Sequence, residues 1–104
     1  MMKTLILTAL STALLTLATT ASADQALAQK NACMSCHAMD KKIVGPALKD
    51  VAKKYAGDKT AEAKLLAKVK TGGKGVWGEI PMPPNPQVSD ADNKKIITWM
   101  LSLK

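Results

Sequence analysis

The densest chemistry in the chain lies in Cys33-Met34-Ser35-Cys36-His37. Two thiols stand three positions apart, and an imidazole follows the second directly. This C-x-x-C-H spacing is that of c-type haem attachment. At a helix end, both thiols can add to the vinyl groups of one porphyrin. The adjacent His37 then lies under the ring centre and can ligate iron. Two other chemistries use the same residue types. The cysteines could form a disulfide or a thioredoxin-like redox pair, but that fold needs a βαβ pattern and none is visible. Together with His37 they could bind zinc, but a closed structural zinc site needs four ligands. The chain has two cysteines and one histidine, so no second Cys/His pair exists.

A haem with one axial ligand needs a second or stays open for reaction. The methionines outside the N-terminal leader are Met34, Met39, Met82 and Met100. Met34 and Met39 flank the motif on the histidine side. Met100 falls in a helical pattern and reads as core. Met82 lies in Ile80-Pro81-Met82-Pro83-Pro84, where prolines on both sides fix φ and cut the entropy lost on ordering. A rigid loop is what a weak thioether ligand needs. The competing reading makes Met82 an apolar plug. Met/His ligation raises a haem's potential. Two filled axial positions also leave none for oxygen or peroxide. The pattern therefore favours outer-sphere electron transfer over catalysis and predicts no enzyme. A haem enzyme or gas sensor with a labile Met82 is the alternative, and a fixed subunit of a larger membrane complex is another.

The elements that must position these residues begin after a leader. Met1, Met2 and Lys3 make a positive start, an apolar run follows from Leu5 to Ala18, and Ala21-Ser22-Ala23 fits a small-x-small cleavage site. The run is short for a bilayer span, which needs about 20 apolar residues. Residues 1–23 are expected to be a cleaved signal peptide, leaving 24–104 as one domain. A helix is predicted over 24–36, with Asp24 at its start. Gly45-Pro46 marks a turn, with Pro46 suited to a first helical position. A second helix should run from Ala47 to Ala56, its stripe being Leu48, Val51, Ala52 and Tyr55, with Gly57 as its stop. Thr60 should cap a third helix to Lys70, with Leu65, Leu66 and Val69 inward and Gly72-Gly73 closing it. From Gly72 to Val88 glycines and prolines exclude regular structure, and so long a loop in a small domain is usually functional. Ser89 should cap a last helix, with Asp90 and Asp92 in its first turn. Ile96, Ile97, Met100, Leu101 and Leu103 form its inner face, with Trp99 at the edge. The fold class is all-α: four helices and one long loop.

Composition agrees with a domain that leans on a cofactor. The chain has no Phe, one Tyr and two Trp, and domains this small are marginal without help. A large apolar group would supply the missing core. The formal net charge is +7, and loss of Lys3 with the leader removes only one unit. Every basic residue is lysine, spread along the chain. With no arginine and no set of stacking aromatics, nucleic-acid binding is a poor reading. The lysines read either as a solubilising surface or as a field that steers docking to acidic partners.

The chain resembles the small bacterial class I cytochromes c, the short type of pseudomonads and ammonia oxidisers. The resemblance rests on Cys33 to His37, Val44-Gly45-Pro46-Ala47, Gly75-Val76-Trp77-Gly78, Ile80-Pro81-Met82-Pro83-Pro84-Asn85 and the closing Trp99-Met100-Leu101. It implies the cytochrome c fold wrapped around one low-spin haem c, with one haem edge at the surface. It implies a soluble, monomeric periplasmic carrier in nitrogen-oxide or oxygen respiration. Partners would be other redox proteins, namely cytochrome complexes, terminal reductases or oxidases, without stable membrane insertion. By resemblance, Cys33 and Cys36 are the thioether sites, and His37 and Met82 are axial. The Pro46 carbonyl would accept the His37 ring N–H, though Pro46 could be a plain turn proline. Trp77 would donate its indole N–H to a haem propionate, or serve as a core tryptophan. Asn85 could donate to the Met82 sulfur or be an ordinary loop residue. Two positions depart from the pattern. Lys68 stands where relatives often have an arginine near the propionates, so a bidentate clamp is lost. Ala32 and Ala28 stand where relatives often have a glycine and an aromatic, which predicts looser packing of the first helix on the last.

Overall fold

The structure, a computed structural model, describes residues 19–104. Most of the expected leader lies outside the described residues. Four helices follow in order: α1 (Thr19–Lys30), α2 (Leu48–Lys54), α3 (Ala61–Thr71) and α4 (Asp90–Leu101). No strand occurs among the described residues; two isolated antiparallel bridges pair His37 with Lys42 and Gly73 with Met82. The all-α architecture expected from the sequence is the observed one.

The first helix ends earlier than expected. Asn31 closes it, its side-chain amide donating to the Leu27 carbonyl at 2.9 Å. Ala32 then takes left-handed angles, φ 63° and ψ 15°, and a short 3-10 turn follows over Cys33–Ser35. The chain thus turns just before the motif instead of carrying it on a straight helix. Ala32 is the single non-glycine residue with positive φ among the described residues, a conformation that costs an L-residue about 1–2 kcal/mol.

The second helix, Leu48–Lys54, is shorter at both ends than the expected Ala47 to Ala56, and Pro46 precedes it. Ala47 is its N-cap, with φ −57° and ψ 138°. The orphan N–H groups of the first turn find carbonyls in the segment after the motif. Leu48 N–H donates to Ala38 O at 2.9 Å and Lys49 N–H to Met39 O at 3.2 Å. This is how the haem-motif segment and α2 are locked together. Thr60 precedes α3 as expected but makes no side-chain cap. Its hydroxyl and its N–H both donate to Asp58 Oδ1, at 2.6 and 2.8 Å. These Thr60 bonds, with Lys64 nearby, hold the exposed Asp58 carboxyl below its ordinary pKa. On α4, Ser89 caps as expected, its Oγ accepting from Asp92 N–H at 3.1 Å.

Helix α4 is the centre of the fold and packs on α1, α2 and α3. Its Ile96, Ile97 and Met100 are buried together with Leu48, Val51, Leu65 and Val88. Trp99, expected at the edge, is only 6% exposed and belongs to this core. Ala28 is fully buried in the same cluster. The sequence reading missed Asn93. It is buried on α4 and donates from Nδ2 to the Leu66 carbonyl of α3 at 3.1 Å, with its Oδ1 unpartnered.

Candidate haem site

A cleft of about 470 Å³ opens into this core, within the roughly 300–1,000 Å³ usual for small-molecule sites. Leu48, Val51, Leu65, Ile96, Ile97 and Met100 line it as buried apolar residues. Cys33, Cys36, His37 and Met82 line the same cleft. The fold therefore gathers residues 46 positions apart in sequence (Cys36 to Met82) around one apolar space.

The histidine segment is held by its own backbone. Cys33 and Cys36 are not joined to each other in a disulfide. Burial pushes the Cys33 thiol up from its ordinary pKa. His37 Nδ1 lies 2.7 Å from the Pro46 carbonyl oxygen. Since a carbonyl can only accept, Nδ1 carries the proton and Nε2 keeps its lone pair for a metal. Pro46 is thus more than a turn proline. Gly45 N–H donates to Cys36 O at 2.8 Å, which closes the loop back onto the motif.

The methionine loop is held by α3. Met82 and Gly73 exchange backbone hydrogen bonds, Met82 N–H to Gly73 O at 2.8 Å and Gly73 N–H to Met82 O at 3.0 Å. Gly72, the C-cap of α3, has φ 72° and ψ −171°, a region almost exclusive to glycine. A Cβ there would stand 2.5 Å from the Met82 carbonyl oxygen. Asn85 is not aimed at a sulfur. Its side-chain amide donates to Val69 O at 3.3 Å and Pro83 O at 3.0 Å, while its backbone N–H also reaches Val69 O at 2.9 Å. Val69 lies in the last turn of α3, so its carbonyl has no acceptor role within the helix. Asn85 caps it from 16 residues away.

The other methionines fall elsewhere. Met34 and Met39 pack partly buried against the core, and Met100 is within it. Trp77 lines the mouth of the cleft and is 41% exposed. The Lys54 ammonium lies 5.6 Å from its ring centroid. Lys68 also lines the cleft, with its Nζ against Gly73. The three ion pairs of the described residues are Lys49–Asp40, Lys64–Asp58 and Lys70–Asp90. Lys68 is in none of them.

The residues fit a haem. Two cysteine sulfurs, an imidazole with its metal-binding nitrogen free, and a thioether share one apolar cleft. No group of three or more His, Cys, Asp and Glu side chains that could hold a metal ion occurs among the described residues.

The chain is similar to known proteins. The Cytochrome c family model matches residues 22–104. Cytochrome c-552 of Nitrosomonas europaea is 52% identical over 103 residues, covering 99% of this chain and 100% of the relative. Cytochrome c-551 of Allochromatium vinosum is 54% identical over 89 residues, covering 86% of this chain and 95% of the relative. The crystal structure of wild-type Nitrosomonas europaea cytochrome c552 superposes with a TM-score of 0.75 at 55% identity, covering 77% of this chain and 99% of that one. The chain belongs to the cytochrome c family: it is an electron carrier with one covalently attached haem c.

Proposed function

We propose that this protein carries single electrons between respiratory redox proteins in the periplasm. In this reading Cys33 and Cys36 would hold the haem covalently, and His37 and Met82 would ligate its iron. The observation that carries it is that His37 and Met82 line one cleft, each held by backbone hydrogen bonds before any metal is considered. The haem supplies a one-electron iron couple.

The chain's own residues set how that couple behaves. Pro46 fixes the His37 ring and tautomer, and its acceptance of the Nδ1 proton raises the basicity of Nε2. Met82 offers a thioether, which favours a higher potential. The buried apolar lining keeps water away from the ligand pair. Lys68 sits at the cleft without a carboxylate partner, suited to a haem propionate as a single point charge. Trp77 offers an indole N–H at the cleft mouth for the same purpose. Asn85 serves Met82 by fixing its loop to α3. With His37 and Met82 both holding the iron, no position would be left for a substrate, which favours electron transfer over catalysis.

Export follows from the leader. Cleavage after Ala23 would release residues 24–104 as a monomer into the periplasm. No described helix is long and apolar enough to cross a membrane. The net positive charge suits steering toward acidic faces of redox partners.

Voltammetry of the purified protein tests the reading. It should give a reversible one-electron wave, and the ferric protein should bind cyanide only slowly. Rapid cyanide binding with peroxidase turnover by the native protein would point instead to an open iron and a haem enzyme.

A further inference from the structure

The face of the His37 imidazole rests against a residue that has no side chain. A methyl group at position 45 would stand 2.6 Å from Cε1, 2.9 Å from Nδ1 and 3.1 Å from Nε2 of His37, all inside ordinary contact. Neither partner is free to retreat. The ring is tied through Nδ1 to Pro46 O at 2.7 Å. Gly45 is tied through its N–H to Cys36 O at 2.8 Å, and its carbonyl accepts from Ile43 N–H at 3.2 Å. Backbone strain is not what requires glycine here. The described glycines with positive φ are Gly57, Gly72, Gly75 and Gly78, and Gly45 is not one of them. Its requirement is space alone.

We infer that Gly45 is a positioning residue for the axial histidine: its bare α-carbon sets the plane of the His37 ring and the reach of Nδ1 to the Pro46 carbonyl. A side chain at this position must turn the ring or lift residues 43–46. Either movement weakens the Nδ1–H···O bond and makes Nε2 a poorer donor. A poorer donor stabilises Fe(III) less, so the reduction potential rises. This inference rests on His37 being the iron ligand.

Proton NMR of the ferrous holoprotein reads the contact directly. In the wild type, the Gly45 α-protons should show cross-relaxation to the His37 ring Hε1. In Gly45→Ala, the His37 Nδ1–H should exchange with solvent on the order of tenfold faster, the weight of about one hydrogen bond. The midpoint potential should shift upward. Gly57→Ala separates contact from strain, because position 57 has φ +77° and nothing within 4 Å of a Cβ. That variant should lose stability but keep the wild-type exchange rate and potential. Absence of the Gly45–His37 cross-peaks in the wild type would overturn the inference, and this measurement stands even if Gly45→Ala yields no holoprotein. Unchanged exchange and potential in Gly45→Ala would overturn it too. Faster exchange with an unmoved potential supports the contact and counts against His37 as ligand, so the two failures stay apart.

Discussion

The two residues assigned to the iron reach the same cleft by different means. His37 is secured within its own neighbourhood. Its ring bonds to Pro46 nine positions on, and Gly45 bonds back to Cys36. Met82 depends on a distant element. Its loop pairs with Gly73 and hangs from the last turn of α3 through Asn85 and Val69, 16 positions apart. Short closures cost less chain entropy than long ones. The histidine segment can therefore order with little help, whereas the methionine loop orders only if α3 is already in place. The Met82 side should be the one that opens first.

Removing what both sides share should have the largest effect. Cys33→Ala combined with Cys36→Ala leaves no covalent haem, and a chain with no Phe and few aromatics has little core of its own. That variant should show no cooperative thermal transition by circular dichroism. A sharp transition would mean that the core suffices without haem.

Next comes Gly72→Ala, which acts on the methionine side alone. It forces a side chain into a glycine-only conformation at a cost of about 1–3 kcal/mol and crowds the Met82 carbonyl. Denaturant midpoints should fall, and external imidazole should displace Met82 faster. Asn85→Ala should be milder. It removes the side-chain bonds to the Val69 and Pro83 carbonyls while the backbone N–H of residue 85 stays on Val69, at a cost of about 1 kcal/mol, and should again speed imidazole binding. The His37 Nδ1–H resonance should not move. A shift there would mean that the two sides are coupled rather than separately held.

The smallest change should leave both ligand readouts alone. Ala32→Gly relieves the left-handed strain ahead of the motif and should raise stability by up to about 1 kcal/mol, measured as a higher unfolding midpoint. No gain would mean that residue 32 is not left-handed in solution.

The difference between the two sides also explains what the sequence could tell. The C-x-x-C-H motif, Gly45-Pro46 and the Ser89 cap are local patterns; Ser89 caps α4 and Pro46 turns the chain ahead of α2. The α3 stop at Gly72 is equally local. What escaped reading was set by contacts across the chain. Asn85 points to Val69 because a helix carbonyl 16 residues away lacks a partner, and no neighbour of Asn85 signals this. Trp99 and Asn93 are buried because α4 is packed on three sides, whereas a single amphipathic stripe predicts one. The break of α1 before Cys33 falls on an alanine, a residue that favours helix, so propensity pointed the wrong way.

The central claim is that a local histidine and a remotely anchored methionine meet at one iron. The most direct measurement is the weak near-infrared absorption of an Fe(III)–S(Met) bond, recorded for the wild type, Met82→Ala and Met100→Leu. Met100 is the informative control because it also lines the cleft but belongs to the core. The wild type should show the band. Met100→Leu should keep it, with a packing cost below about 1.5 kcal/mol. Met82→Ala should lose it, with a lower potential and an iron open to cyanide. A band that survives Met82→Ala, or vanishes in Met100→Leu, would contradict the account.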